Sequence, residues 1–337
     1  MTRSAKNSTS APILFIHYGP ASYLRRTLSC ARKANPDKRI ILLGDSANRR
    51  SAQGAAEFFP FEDFCSGVKQ ARFQEVFRVI QGERHRFTKL GGMEAWLKFV
   101  FRRWFLIEEF LAREKIDSFW TFDSDTLVLA PLGPREARFR DVEATTQCRG
   151  ECLNGWVGSF QLVESYTACI LELFSDASFL EVQRERLRTH SGLAFNEMDA
   201  FGEFRRRTGA RTMRAASVIG GEAFDDALAF VDGYEPAPAP IQGRTAIKRL
   251  WTSPRGGVWA KTGGEFVRLL TCNMSWMPDY LWARVLRSAK AGVPDIASAQ
   301  VDPDVLRDVN LREPFGELAS RSLHAIFFRA RRFLMVR

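Results

Sequence analysis

Two apolar runs joined by a short amphipathic segment open the chain, and they limit its fold more than any other feature. The runs are PILFIHY, residues 12–18, and RIILLGD, residues 39–45. Unbroken apolar runs of this length are typical of strands covered on both faces. The segment between them, residues 21–36, spaces its apolar side chains by four and three positions and closes on a proline, which predicts a helix. Together they predict a βαβ unit with parallel strands and a right-handed crossover.

A second helix and strand lead to a pair of carboxylates. Residues 92–115 carry tryptophan and aliphatic side chains on one stripe, which predicts a long helix. The run FWTFDSDTLVL, residues 119–129, predicts a buried strand interrupted by Asp123 and Asp125. Ligands of open α/β sheets bind outside the carboxyl ends of the strands. We therefore predict an α/β fold, with a mixed sheet flanked by helices and a site at these two aspartates.

Composition excludes several classes of protein. With 45% hydrophobic residues among 337, the chain can bury a large core and is neither disordered nor fibrous. Six cysteines are too sparse for a disulfide scaffold and complete no zinc set, which favours reduced thiols and a cytoplasmic location. We expect neither a secretory leader nor a membrane span. The net charge of +10 comes without any nucleic-acid-binding motif, so we expect no nucleic-acid partner.

The Asp-Ser-Asp triplet allows two interpretations. Such triplets commonly open turns, because Asp and Ser bond their own backbone there. Here apolar residues flank the triplet on both sides, and burying carboxylates is costly unless a cation neutralises them. Magnesium and manganese are held by one or two carboxylates plus substrate phosphates. An extended backbone would place Asp123 and Asp125 on one face, so we predict that both serve a Mn²⁺ or Mg²⁺ site.

The order of these features resembles the DXD glycosyltransferases of GT-A fold, especially bacterial nucleotide-sugar transferases with an Arg-Trp pair in the helix before the motif. The pair here is Arg103-Trp104, and the motif runs from Phe122 to Asp125. The resemblance covers about the first 130 residues. It implies a Rossmann-related fold, a UDP-sugar as the favoured donor, and a metal that bridges Asp125 and the diphosphate. The acceptor would be a saccharide or glycolipid hydroxyl, in polysaccharide or lipopolysaccharide synthesis.

The resemblance also implies donor contacts. His17 and Tyr18 end the first strand, where the family binds base and ribose, and Asp45 ends the second. Asp123 would hold ribose or the donor sugar, and Arg103 would steady phosphate by bidentate bonding. The alternatives are that His17 is a histidine near the core, that Asp45 starts a turn, and that Arg103 lies on a solvated helix face or in a buried ion pair with a nearby acid.

Candidates for acceptor binding and catalysis lie in the second half. Trp156, on a predicted glycine-flanked loop, would stack on a sugar, unless it is a core residue. Glu197 and Asp199 begin a predicted helix, where an acid is favoured by the dipole, and either would serve as general base in an inverting reaction. Asp225 is a weaker acidic candidate for acceptor binding.

One departure from the family pattern concerns the metal. Many related enzymes carry a histidine at the end of a late strand as another ligand. In the corresponding stretch, residues 269–273, Thr271 stands in that place. Thr271 or Asn273 would then supply an oxygen to the metal, or water would fill that place.

The sequence predicts one large domain with two halves of different function and a C-terminal tail. Residues 1–130 form the nucleotide-sugar-binding half, residues 131–310 a less regular acceptor-side half, and residues 311–337 a basic amphipathic tail. The tail would lie on the inner face of the plasma membrane or pack on the protein. Two rival functions stay open. A metal-dependent nucleotidyltransferase would need a glycine-rich loop after the first strand, and a non-catalytic basic binding module would leave the aspartates unexplained.

Overall fold

The computed structural model describes residues 10–85, 93–241, 245–290 and 302–311. The helices are α1 Leu24–Ala34, α2 Arg49–Ala52, α3 Val68–Val76, α4 Met93–Glu114, α5 Phe160–Ser175, α6 Ala177–Thr189, α7 Glu197–Thr208 and α8 Asp279–Ala289. The strands are β1 Ile13–His17, β2 Ile40–Gly44, β3 Glu57–Pro60, β4 Phe119–Asp123, β5 Thr126–Val128, β6 Ala144–Gln147, β7 Cys152–Val157, β8 Thr212–Arg214, β9 Glu222–Ala223, β10 Trp251–Thr252, β11 Trp259–Thr262, β12 Glu265–Leu269, β13 Thr271–Asn273 and β14 Arg307–Asp308. The predicted basic tail beyond Leu311 lies outside the described residues.

The main sheet has seven strands in the order β3-β2-β1-β4-β7-β6-β8. Strands β1, β2, β3 and β4 run parallel, which confirms the predicted βαβ unit, and β7 runs antiparallel to β4 and β6. The mixed α/β sheet flanked by helices is therefore as the sequence predicts.

Alternation along β1 explains why both faces of this sheet are covered. Ile13 and Phe15 pack in a core shared with α1, whereas Leu14 and Ile16 pack in a core shared with α3, α4 and α5. All four side chains are at most 6% exposed. Burying each stabilises the fold by about 1.5–3 kcal/mol, so the polar residues of the strand are confined to its end, at His17.

A second, five-stranded sheet has the order β14-β10-β11-β12-β9. The predicted late strand is in fact two: β12 belongs to this sheet, whereas β13 leaves it and pairs antiparallel with β5. In that pair Asn273 lies opposite Thr126, the first residue of β5. Since β5 starts directly after the Asp-Ser-Asp turn, the pairing brings residues 273–276 beside that turn. Within the described ranges, none of the helices combines the length and apolar character needed to cross a bilayer.

Candidate functional site

The Asp-Ser-Asp turn lies where β1 and β4 end side by side in the main sheet. Asp123 is the last residue of β4 and pairs in register with the end of β1, opposite Ile16. The next residue along β1 is His17, whose Nδ1 lies 2.7 Å from the hydroxyl oxygen of Ser124. The turn is thus tied to the carboxyl end of the neighbouring strand, which is where the sequence placed the site.

Asp123 is held by Arg103 of α4. The guanidinium donates from Nη1 to Asp123 Oδ1 at 2.8 Å and from Nη2 to Glu197 Oε1 at 3.2 Å. Burial alone would lower the pKa of Arg103, but the charges of Asp123 and Glu197 outweigh it and raise that pKa. Arg103 is therefore firmly cationic and forms the ion pair that the sequence left as an alternative to phosphate binding.

Glu197 begins α7 and is 8% exposed. Its Oε2 atom is buried without a hydrogen-bond partner among the described residues. Burial raises the pKa of this carboxyl group, and the charge of Arg103 offsets part of that rise. Glu197 thus combines an unengaged oxygen with a raised affinity for a proton.

Asp199, the other predicted base, has its oxygens engaged. It completes a capping box in which its Oδ2 accepts from the backbone N–H of Asn196 at 3.2 Å. Its Oδ1 accepts from Arg186 Nη1 at 2.9 Å. This placement is the helix-start role that the sequence offered as the alternative.

Asp125 faces a different set of partners from Asp123. The hydroxyl of Ser275 lies 2.9 Å from Asp125 Oδ2 and 2.7 Å from Asn273 Oδ1, and the backbone N–H of Met274 donates to the Asp125 carbonyl. The chain turns at Ser124 between the two aspartates, and these hydrogen bonds of Asp125 go to groups other than the Arg103 that holds Asp123, while the charges of both carboxylates act on Tyr23.

The carboxylate, amide and hydroxyl oxygens of Asp125, Asn273 and Ser275 form one cluster. Hard divalent cations prefer such oxygen ligands, and Mg²⁺ is commonly held by one or two carboxylates while substrate phosphates and water complete its shell. The parts of the chain that the structure describes contain no group of three His, Cys, Asp or Glu residues able to hold a metal. The cluster offers one carboxylate, one amide oxygen and one hydroxyl oxygen that could ligate such a cation.

Thr271, the other residue predicted to ligate the metal from the late strand, uses its hydroxyl in a structural hydrogen bond. It is fully buried, and its hydroxyl accepts from the backbone N–H of Asp225 at 3.0 Å. Asp225 is itself 1% exposed, pairs with Lys248, and accepts from the backbone N–H of Asn273 at 2.9 Å. These contacts fix β13, and they leave Asp225 enclosed rather than open to an acceptor.

Aromatic side chains surround the cluster. Tyr23 stacks on Trp282 with ring centroids 4.8 Å apart and meets His17 edge-on at 5.9 Å. Burial, followed by the negative charge of Asp125, raises the pKa of Tyr23 to about 12. Trp276, directly after Ser275, is 71% exposed and has φ of 61°, in the left-handed region that is uncommon for a bulky residue.

Two predicted donor contacts differ in their surroundings. Tyr18 is exposed at the end of β1, with its ring centroid 5.3 Å from that of Phe99. Asp45 accepts from the backbone N–H groups of Gly19 and Ala47 at 2.5 and 3.1 Å and caps a short helical turn. That is the turn-starting role, and it also joins the loops after β1 and β2.

The prediction that Trp156 lies on a glycine-flanked loop is wrong. It lies in β7, is 9% exposed, and packs its ring 5.3 Å from that of Trp120. The small residues near it belong to a strand rather than a loop: Gly155 has φ of 94°, and a Cβ atom there would lie 2.3 Å from the Thr145 hydroxyl. Trp156 is thus a core residue in this conformation.

Ser275 of the cluster and Trp276 beside it are not among the residues predicted from the sequence. Ser275 and Trp276 stand in the stretch NMSW, two and three positions after Asn273. The signal that could have identified them is an oxygen ligand spaced from Asn273 and followed by a tryptophan in a predicted loop.

No family model and no curated protein matches the chain. Among solved structures, one titled "PaToxG Glycosyltransferase" is similar at 12% sequence identity with a TM-score of 0.36, over 59% of this chain and 69% of that chain. Similarity at this level supports no inference about function.

Proposed function

We propose that this protein is a glycosyltransferase that moves a sugar from a nucleotide-diphosphate sugar, with UDP-sugars favoured, to a hydroxyl of a saccharide or glycolipid. One observation carries the proposal. The pairing of β13 with β5 seats Asn273 and Ser275 against Asp125, at the end of the sheet where nucleotides bind in α/β folds. A turn that only closed a strand would not need these converging oxygens.

Asp125, Asn273 and Ser275 are the residues whose side-chain oxygens would hold Mn²⁺ or Mg²⁺. A bound divalent cation supplies Lewis-acid stabilisation of the departing diphosphate. The chain itself orients the donor: Arg103 engages Oδ1 of Asp123, which leaves Oδ2 available to a ribose or sugar hydroxyl. Trp276, exposed beside Ser275, offers an aromatic face to the sugar.

Glu197 is the better candidate for proton transfer of the two predicted acids. Its Oε2 has no partner among the described residues, and its pKa is raised, whereas Asp199 is engaged in the helix cap and with Arg186. A base works best when its pKa lies near the operating pH. Glu197 would therefore accept the proton of the attacking hydroxyl if the reaction inverts the anomeric centre.

The test is thermal unfolding of the full chain with UDP, GDP, CDP or ADP, with and without Mn²⁺. A ligand that binds only the native state raises the unfolding midpoint by mass action. We expect one nucleotide to raise the midpoint when Mn²⁺ is present, and we expect Asp125→Asn to abolish that rise because the carboxylate is lost. The corresponding nucleotide sugar should then be hydrolysed or transferred by the wild type alone.

Asp141→Asn is the matched control, because Asp141 is an exposed aspartate outside the cluster. It should retain the full nucleotide response. A nucleotide response that survives Asp125→Asn, or the absence of any response in the wild type, would contradict the proposal.

A further inference from the structure

A basic cavity lies away from the aspartates, between the end of α8, strand β10 and the segment around β14. Its volume is about 570 Å³. Six of its lining residues matter here, namely two hydroxyl residues and four cations: Thr252, Ser288, Arg284, Arg287, Lys290 and Arg307. A volume of this order is that of ordinary small-molecule sites.

The four cations have no carboxylate partner among the described residues. The carboxylate that lines the cavity is Asp308, and it pairs with Arg249 at 2.7 Å. Arg103 of α4, by contrast, is paired with both Asp123 and Glu197. The cavity therefore concentrates like charges that repel one another, which is costly unless an anion occupies it.

Backbone carbonyls hold three of these cations in place without neutralising them. Arg284 donates to the Asn310 carbonyl, Lys290 to the Pro254 carbonyl at 2.9 Å, and Arg307 to the Asp304 carbonyl at 2.8 Å. Each keeps further N–H groups for a ligand. The C-terminus of α8 adds a partial negative charge of about half a unit, and four cations exceed it.

We propose that this cavity binds a phosphate-bearing ligand, either a free phosphoryl compound or the headgroup of an anionic lipid. Guanidinium groups match phosphate oxygens in geometry and charge, and the hydroxyls of Thr252 and Ser288 add neutral partners. Helix α8 runs from Asp279, near Trp276, to Ala289 at the cavity, which separates the two sites by about 15 Å. The proposal does not depend on the glycosyltransferase assignment.

The test uses the full chain in a chelating buffer, so that no metal draws the probe to the aspartate cluster. Binding of inorganic pyrophosphate is measured by isothermal titration calorimetry for the wild type and for Arg287→Gln/Arg307→Gln, whose two arginines are exposed. Losing two charge-assisted contacts should raise the Kd by about tenfold or more. The matched control is Arg50→Gln/Arg140→Gln, which removes the same charge from exposed arginines outside the cavity and should leave the Kd within about twofold of wild type.

A second arm distinguishes the two sources of phosphate. Co-sedimentation with vesicles of equimolar phosphatidylcholine and phosphatidylglycerol is compared for the same three proteins, each with the basic tail intact. Loss of sedimentation in the cavity variant alone identifies a lipid headgroup, whereas loss of pyrophosphate binding alone identifies a soluble ligand. The proposal is wrong if the wild type binds neither probe, or if the two double variants lose binding equally. Unfolding midpoints without ligand show whether all three proteins are folded.

Discussion

Arg103 carries one positive charge between two carboxylates, Asp123 and Glu197, and is only 12% exposed in its side chain. Removing it would leave two acids close together with little solvent. We expect Arg103→Met to lower the free energy of unfolding by about 3–5 kcal/mol, the cost of leaving a buried charge uncompensated. Urea unfolding at neutral pH measures this loss.

The stability lost in the Arg103→Met variant should depend on pH, and the direction of that dependence follows from Glu197. Without the guanidinium, the folded-state pKa of Glu197, already raised by burial, rises further above its ordinary value. Such a group stabilises the fold at low pH and loses that contribution as pH rises through its folded pKa. The deficit should shrink as pH falls toward 4.5, and adding Glu197→Gln should recover part of it at neutral pH. A deficit that stays constant with pH would contradict the electrostatic account.

Among single residues, the sequence singled out the two acids as candidates but did not predict their partners. Asp123 and Asp125 stand out because they interrupt an apolar strand, and period-two alternation predicted one shared face. Alternation ends where the strand ends, at Asp123, and the turn sends Asp125 toward Ser275. Ser275, one partner of Asp125, lies 150 positions along the chain, and no local pattern encodes a contact of that separation.

Helix α7 provides a test at the scale of one element. Glu203 accepts from Arg206 and Arg207 at 2.6–2.9 Å, one turn further along the helix. The hydrogen bond from Arg206 is the main cause that lowers the pKa of Glu203 to about 2. We expect Glu203→Gln to cost about 0.5–1 kcal/mol at neutral pH, as two helix-surface pairs would.

The low pKa of Glu203 also sets where that stability is lost. A carboxyl whose folded pKa is depressed stabilises the fold above its unfolded value of about 4.5 and loses the contribution as pH falls through 2. Wild type and Glu203→Gln should therefore converge in urea unfolding at the acid end of this window. Glu181→Gln on α6, which loses one exposed pair with Arg184, should cost less, and a larger cost there would refute the reasoning.

Elements with strong periodicity were the predictable ones. The βαβ unit and the long helix before Asp123 follow from apolar runs and stripes, and both are confirmed. The strand around Trp156 was not predicted, because small residues such as Gly155 are typical of loops. Gly155 serves instead for close approach to Thr145 within the sheet, and only the neighbouring strand reveals that need.

The contacts between the main sheet and the rest of the molecule position the candidate site. Asp225 makes several of these contacts. Its backbone N–H donates to Thr271, its carbonyl accepts from Gln147 at the end of β6, and its carboxylate pairs with Lys248 while accepting from the N–H of Asn273. One buried residue thus joins the main sheet, β13 and the segment before β10. Because these partners come from three separate stretches of chain, composition and periodicity could not predict the junction.

Asp225→Ala should therefore weaken both the whole fold and the site. It leaves Lys248 buried without its charge partner, so we expect the free energy of unfolding to fall by about 3–5 kcal/mol. It also frees the N–H that fixes Asn273, so the Mn²⁺-dependent nucleotide response should weaken even at temperatures where the variant is folded.

Asp225→Asn/Lys248→Met should recover part of the stability, because it removes both charges together. Asp232→Ala, which breaks an exposed pair with Arg149, should cost at most about 1 kcal/mol. Equal losses for Asp225→Ala and Asp232→Ala would show that the junction does not hold the sheets together.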